Sequence, residues 1–193
     1  TAGHSCEERK FKKNVVDGVE IQKIGTSYEV INYHGNRHKA VVVGIDRRWD
    51  LCLLQVKGVS RKHKAVPIAT VGPKRGVKYY NLAAPKGLFG RGMVLTFDGY
   101  YSGNFMNGYD TYTITTKPGS SGSAILNKDG EIVGVIFAGF PAVENVGLSP
   151  VFASISIFVS KAYAYGELKL WQLYNRNVDI TETTTQVPEL KSP

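Results

Sequence analysis

Residues 118–126 read Pro118-Gly119-Ser120-Ser121-Gly122-Ser123-Ala124-Ile125-Leu126. Two glycines flank a central serine. The aliphatic residues that follow open a hairpin, with 124–127 and 131–137 joined by Lys128-Asp129-Gly130. Such a turn exposes a hydroxyl and aims successive backbone N–H groups at one point, the geometry that an acyl-transfer nucleophile and its oxyanion donors require. Two partners for that hydroxyl stand upstream: His4 in Thr1-Ala2-Gly3-His4, and Asp50 in Asp50-Leu51-Cys52-Leu53-Leu54.

Outward from this stretch, short apolar runs recur at strand length. They lie at 28–33, 39–45, 51–56, 77–82, 93–101, 109–115 and 148–152. Turn chemistry separates them, as in His34-Gly35-Asn36, Val71-Gly72-Pro73, Pro85-Lys86-Gly87 and Asn107-Gly108. Many short strands with regular turns predict an all-β barrel or sandwich rather than βαβ units. A helical stretch is predicted over 156–174, with Gly166 as its break. Beyond Asn175 the chain turns polar and reads as a linker or loosely held terminus.

The composition is that of a globular chain, 42% hydrophobic and 21% charged, and 193 residues suffice for one sizeable core or two small ones. No run approaches the roughly 18 apolar residues of a membrane helix, so a soluble protein without a transmembrane segment is expected. Two cysteines, Cys6 and Cys52, are too few for a disulfide framework; the reading favours two free buried thiols over a pair. Four histidines and two cysteines show no ligand spacing, so no metal and no cofactor are expected. The net charge of +8 is concentrated: residues 1–94 carry 18 Lys and Arg against 7 Asp and Glu, residues 95–193 only 6 against 9. That excess suits RNA or another polyanion, but no aromatic-interleaved recognition motif accompanies it, and solvated turn residues are the plainer account.

The three motifs resemble those of trypsin-like, chymotrypsin-fold serine proteases, and their order His, Asp, Ser matches that family rather than the subtilisin or α/β-hydrolase orders. Proline before the nucleophile loop and the missing disulfide framework are similar to bacterial high-temperature-requirement proteases and to polyprotein proteases of RNA viruses. The resemblance implies two six-stranded antiparallel β-barrels, with the first over residues 1–75, the second over 76–160 and a short helix with a tail over 161–193. Family members carry strands ahead of the histidine motif, which here starts at Thr1, so an incomplete first barrel is expected.

The same resemblance implies the roles. His4, Asp50 and Ser121 would form the triad, and the N–H groups of Gly119 and Ser121 the oxyanion hole. Thr115 and Thr116 would lie at the base of the specificity pocket, and Phe137, Ala138 and Gly139 would line its wall and pair with the substrate backbone. The substrate would be a polypeptide, with the chain's own viral or phage polyprotein in a host cytoplasm as the finer expectation. With no acid or histidine at the pocket base, a small or medium neutral side chain is the expected occupant. Ser120 replaces the acid that pairs with a freed N-terminus in digestive relatives, and Phe137 a serine that often supports the aspartate. The competing readings are a protease-like binding module without catalysis and a nucleic-acid binder. Among alternative residues, His34, His38 and His63 read as exposed loop histidines and Asp46 as a turn residue.

Overall fold

The computed structural model describes residues 1–6, 14–16, 19–21, 27–59, 64–105, 108–140 and 143–174. They fall into two compact units, 1–162 and 163–193. Both large sheets lie in the first. Strands β3 (Tyr28–Ile31), β4 (Arg37–Asp46) and β5 (Leu51–Val56) form an antiparallel sheet with β4 at its centre. A separate hairpin pairs β1 (Asn14–Val16) with β2 (Val19–Ile21). The free edge of β5 is taken by the first residues of the chain: Ala2 bridges Leu51, Gly3 N–H donates to the Asp50 carbonyl (2.6 Å) and Cys52 N–H to the Thr1 carbonyl (2.8 Å). This sheet therefore shows four paired segments among the described residues.

The second sheet runs in the order β10-β9-β6-β7-β8-β12-β11. Its members are β6 (Lys78–Ala83), β7 (Leu95–Phe105), β8 (Tyr109–Tyr112), β9 (Ala124–Leu126), β10 (Ile132–Val135), β11 (Ala138–Gly139) and β12 (Gly147–Pro150). The two ends of that order, β10 and β11, are successive parts of one bent segment. Ile136 N–H still bonds to Ser123 O (2.9 Å) on the β9 side, whereas Phe137 N–H already bonds to Leu148 O (3.1 Å) on the β12 side. One strand thus belongs to both ends of the order, so six strands curl into a barrel whose seam runs through this bend, and β11 past the bend pairs on one side, with β12. Register shifts at Tyr101/Gly103 and Ile132/Gly134 supply the bends that closure demands.

Alternation fills the barrel. In β6 Tyr79, Asn81 and Ala83 point inward while Lys78, Tyr80 and Leu82 face solvent. Tyr79, Tyr112, Ile114, Ile125, Val133 and Ile136 make the core, with Tyr79 and Tyr101 packed on the ring of Tyr112 at 5.7 and 5.2 Å. The first sheet buries smaller side chains, chiefly Ala2, Cys6, Ala40, Leu51 and Cys52. That thin core is stapled by a disulfide between Cys6 and Cys52, whose Cα atoms lie 6.3 Å apart, so the expected free thiols are corrected to a pair. Closing a loop of this length stabilises a fold by roughly 2–5 kcal/mol, which offsets the little apolar area buried here.

Helix α1 runs unbroken over Phe152–Tyr174, earlier at its start than the sequence predicts and without the expected break at Gly166. A lone glycine costs a helix about 1 kcal/mol but violates no geometry, so it does not end one. The early start comes from β8: buried Asp110 accepts the Phe152 N–H at 3.0 Å, and Phe152 packs against the barrel core. No helix among the described residues is long and apolar enough to cross a membrane. The predicted polar tail lies outside the described residues.

Asp110 also accepts the Tyr101 hydroxyl (2.9 Å) and Asn104 Nδ2 (3.3 Å). Burial pushes its carboxyl above the ordinary 3.8, against the pull of these three donors. Burial, then the bond to Asp110, pushes the Tyr101 phenol up to about 12. A carboxyl with a raised folded-state value holds its proton more tightly in the folded chain. Its stabilising contribution is greatest at acid pH and declines as pH rises from the unfolded value through the folded one. Urea unfolding at a series of pH values should show this decline above pH ~4 in the wild type but not in Asp110→Asn; parallel curves would exclude it.

Candidate active site

The turn between β4 and β5 delivers Asp50. Asp46 Oδ1 accepts the N–H groups of Arg48 (3.0 Å) and Trp49 (3.2 Å), an Asx turn, so Asp46 is the turn residue the sequence suggests. Asp50 follows in the left-handed region, at φ 52°, which aspartate tolerates. Its two carboxylate oxygens then both meet His4. Oδ2 lies 2.6 Å from the ring Nδ1, and Oδ1 accepts the His4 backbone N–H at 2.6 Å. A carboxylate only accepts, so Nδ1 carries the proton and Nε2 is left with its lone pair free. The pair is partly open to solvent, with side-chain exposures of 51% for His4 and 27% for Asp50.

The disulfide belongs to this geometry. The chain pairs Ala2 with Leu51 in antiparallel fashion and then folds back through a tight turn at Gly3–Ser5, which carries His4 to Asp50 and returns Cys6 to Cys52. His38 is also displaced from expectation: it lies half-buried in β4 with Nε2 3.2 Å from Asn32 Nδ2, whereas His34 is an exposed loop residue. His63 lies outside the described residues.

Ser121 sits between the 118–120 turn and β9. Lys117–Ser120 form a type II turn, closed by Ser120 N–H to Lys117 O (2.9 Å), with Pro118 at the second position and Gly119 at φ 95° at the third. A side chain on Gly119 would also strike Lys86 N at 2.8 Å and Ala84 O at 2.9 Å. Neither the Gly119 N–H nor the Ser121 N–H is used in a hydrogen bond among the described residues. The Ser121 hydroxyl donates to Phe137 O at 3.1 Å. The loop abuts the histidine segment directly, since a Cβ on Gly122 would fall 2.9 Å from Ala2 N. The structure thus joins His4 to Asp50 by a hydrogen bond and sets the Ser121 loop against the N-terminal segment that leads into His4.

Beside Ser121 opens a cavity of about 440 Å³. Of the expected pocket residues, Thr116, Ala138 and Gly139 line it. Thr115 and Phe137 are not among the lining residues: Thr115 Oγ1 donates to Asn145 Oδ1 at 2.7 Å, and the Phe137 carbonyl accepts the Ser121 hydroxyl. The sequence reading missed Ile136, Phe140, Val143, Glu144 and Asn145, the last four on the loop between β11 and β12. Asn145 in the left-handed region, at φ 63°, is the turn residue that marked this loop. Glu144 adds an acid the sequence reading did not place, but at the rim: it is 86% exposed and 3.9 Å from Lys117 Nζ. Among the described residues no three His, Cys, Asp or Glu side chains converge as metal ligands. Of the basic clusters, Arg37 pairs with Glu29 (2.9 Å) and Arg48 lies over the Trp49 ring.

A six-stranded barrel with a serine loop, faced by a histidine and an aspartate from an adjoining sheet, is a chymotrypsin-like architecture. The chain belongs to the trypsin-like peptidase domain family, whose model matches residues 11–135; the match takes in Asp50 and Ser121 and starts after His4. It is 26% identical to a serine protease Do-like HtrA of Lactococcus lactis subsp. lactis and 25% identical to that of subsp. cremoris, in each case over 88% of this chain and 50% of the relative. The chain therefore spans about half the length of these curated relatives. Among solved structures, the serine endoprotease from Yersinia pestis superposes with a TM-score of 0.64 at 22% identity, covering 74% of this chain and 51% of the other. Rv3671c from M. tuberculosis, in its inactive form, superposes with a TM-score of 0.57 at 17% identity over 67% of both chains.

Proposed function

We propose that this chain is a serine endopeptidase that cleaves peptide bonds through an acyl-enzyme on Ser121. The observation that carries the reading is the double engagement of Asp50 by His4, beside a serine loop that presents two unengaged N–H groups. In this reading a substrate strand adds to β11 through its backbone, with the side chain before the scissile bond in the cavity. The Ser121 hydroxyl leaves Phe137 O, turns towards His4 Nε2 and gives up its proton as it attacks the carbonyl carbon. Asp50 stabilises the imidazolium, and the N–H groups of Gly119 and Ser121 take the oxyanion. His4 then protonates the leaving amine, and water repeats the sequence to free the acid.

The cavity supports a small or medium neutral side chain at the cleaved position. Its walls include Ile136, Ala138 and Val143, and its charged groups, Lys117 and Glu144, sit at the rim beside each other. A binding module that has lost catalysis is disfavoured, because all three reacting groups are present. The HtrA relatives are bacterial, and they lend no support to viral or phage polyprotein processing or to an RNA partner.

A fluorophosphonate probe tests the proposal, because it phosphonylates only a serine activated by a neighbouring base. The expected result is a single adduct that peptide mapping assigns to Ser121. A folded protein that stays unlabelled at millimolar probe would refute the reading.

A further inference from the structure

Asn81 is fully buried in β6, at a position whose inward neighbours are Tyr79 and Ala83 and where an aliphatic side chain would fill the barrel more cheaply. Its Oδ1 has no hydrogen-bond partner among the described residues, so its burial carries a cost. The other end of the amide is fully used: Nδ2 donates to Ser123 Oγ and to Ala124 O, each at 2.8 Å. Ser123 Oγ already accepts from Asn81, so its single proton goes elsewhere, to Ser120 O at 2.6 Å. The Ser123 N–H converges on that same carbonyl at 3.1 Å.

The carbonyl of Ser120 and the N–H of Ser121 are the two ends of one planar peptide, and they point in opposite directions. Two donors that hold Ser120 O towards the barrel interior therefore hold the Ser121 N–H outward, towards the cavity side, where it has no partner among the described residues. The donors also polarise the peptide and strengthen that N–H as a donor. The structure assigns Asn81 as a positioning residue that, through the Ser123 hydroxyl, aims one of the two oxyanion donors. This assignment rests on the proteolytic reading above. It also explains what holds the loop where digestive relatives use an ion pair: Ser120 is buried with its Oγ accepting the Lys117 N–H at 3.2 Å, and the restraint comes from β6 beneath it.

The test compares wild type with Asn81→Leu, Ser123→Ala and the double variant, using a cleaved peptide substrate and a matching peptide aldehyde. The aldehyde forms a tetrahedral adduct whose oxyanion sits where the transition state's does. Misaiming one donor should lower kcat on the order of 10- to 100-fold with KM within about twofold. The aldehyde Ki should rise by the same factor and the pH profile should stay in place, since His4 and Asp50 are untouched. The double variant should be no worse than the poorer single variant, because both residues act on one carbonyl. Wild-type kcat in folded Ser123→Ala, a loss confined to KM, or multiplicative single effects would each overturn the assignment. If Asn81→Leu does not fold, Ser123→Ala alone decides, since it keeps the backbone N–H and removes only the relay. A wild type that neither labels nor cleaves refutes the proteolytic reading and this inference with it, whereas an active wild type with unaffected variants refutes this inference alone.

Discussion

Replacing Ser121 by alanine should lower kcat by about 10⁶-fold while leaving KM and the unfolding midpoint nearly unchanged. The size follows from what remains. The Gly119 and Ser121 N–H groups still bind the carbonyl oxygen, and the cavity still holds the side chain, which together leave roughly 10³–10⁴ over the uncatalysed rate. What is lost is the covalent route, because His4 then has no hydroxyl to deprotonate. The small effect on stability follows from the single hydrogen bond the hydroxyl makes, to Phe137 O on a half-buried site. Steady-state kinetics with thermal unfolding of both proteins checks this. Residual activity within tenfold of wild type would show that Ser121 is not the nucleophile.

Asp50→Asn should cost about 10⁴-fold in kcat near neutral pH, although the side chain keeps its shape. The reason is a fixed orientation. The His4 backbone N–H approaches Oδ1 at 2.6 Å and demands an acceptor there, so the new amide must place its carbonyl oxygen at that position and its NH₂ opposite the ring. The NH₂ group then donates to Nδ1, which sits 2.6 Å from Oδ2 in the wild type. An Nδ1 that accepts must leave the ring proton on Nε2, and that tautomer cannot take a proton from Ser121. Activity should return in part at high pH, where hydroxide deprotonates what His4 no longer can. A pH–rate profile of the variant reads this directly. A variant within tenfold of wild type at pH 7 would exclude the tautomer role for Asp50.

The strands were legible because turn residues and alternating side chains act over short range. The run at 51–56 coincides with β5 from end to end, and those at 39–45 and 77–82 fall within two residues of β4 and β6 at each end. Two-residue β11 was not separable from β10, because its pairing is set by the bend at Ile136–Phe137 and not by any pattern in the chain. The helix start was misjudged for a similar reason: its first N–H is satisfied by Asp110, 42 residues earlier.

Residue chemistry by itself picked out the proposed reacting set. A serine between glycines, a histidine and an aspartate opening an apolar strand announce proton transfer wherever they stand, and their order selects one architecture. Only the tertiary structure decided how that set is held. It paired Cys6 with Cys52, supplied the cavity wall from the loop before β12, and ran the support of the Ser121 peptide through Asn81 in β6. The disulfide and the Asn81–Ser123 bond join residues 46 and 42 apart, and Asn145 of the cavity wall is joined to Thr115 across 30. Their strength depends on burial and angle, which no local stretch of sequence encodes and which arise only when the barrel closes.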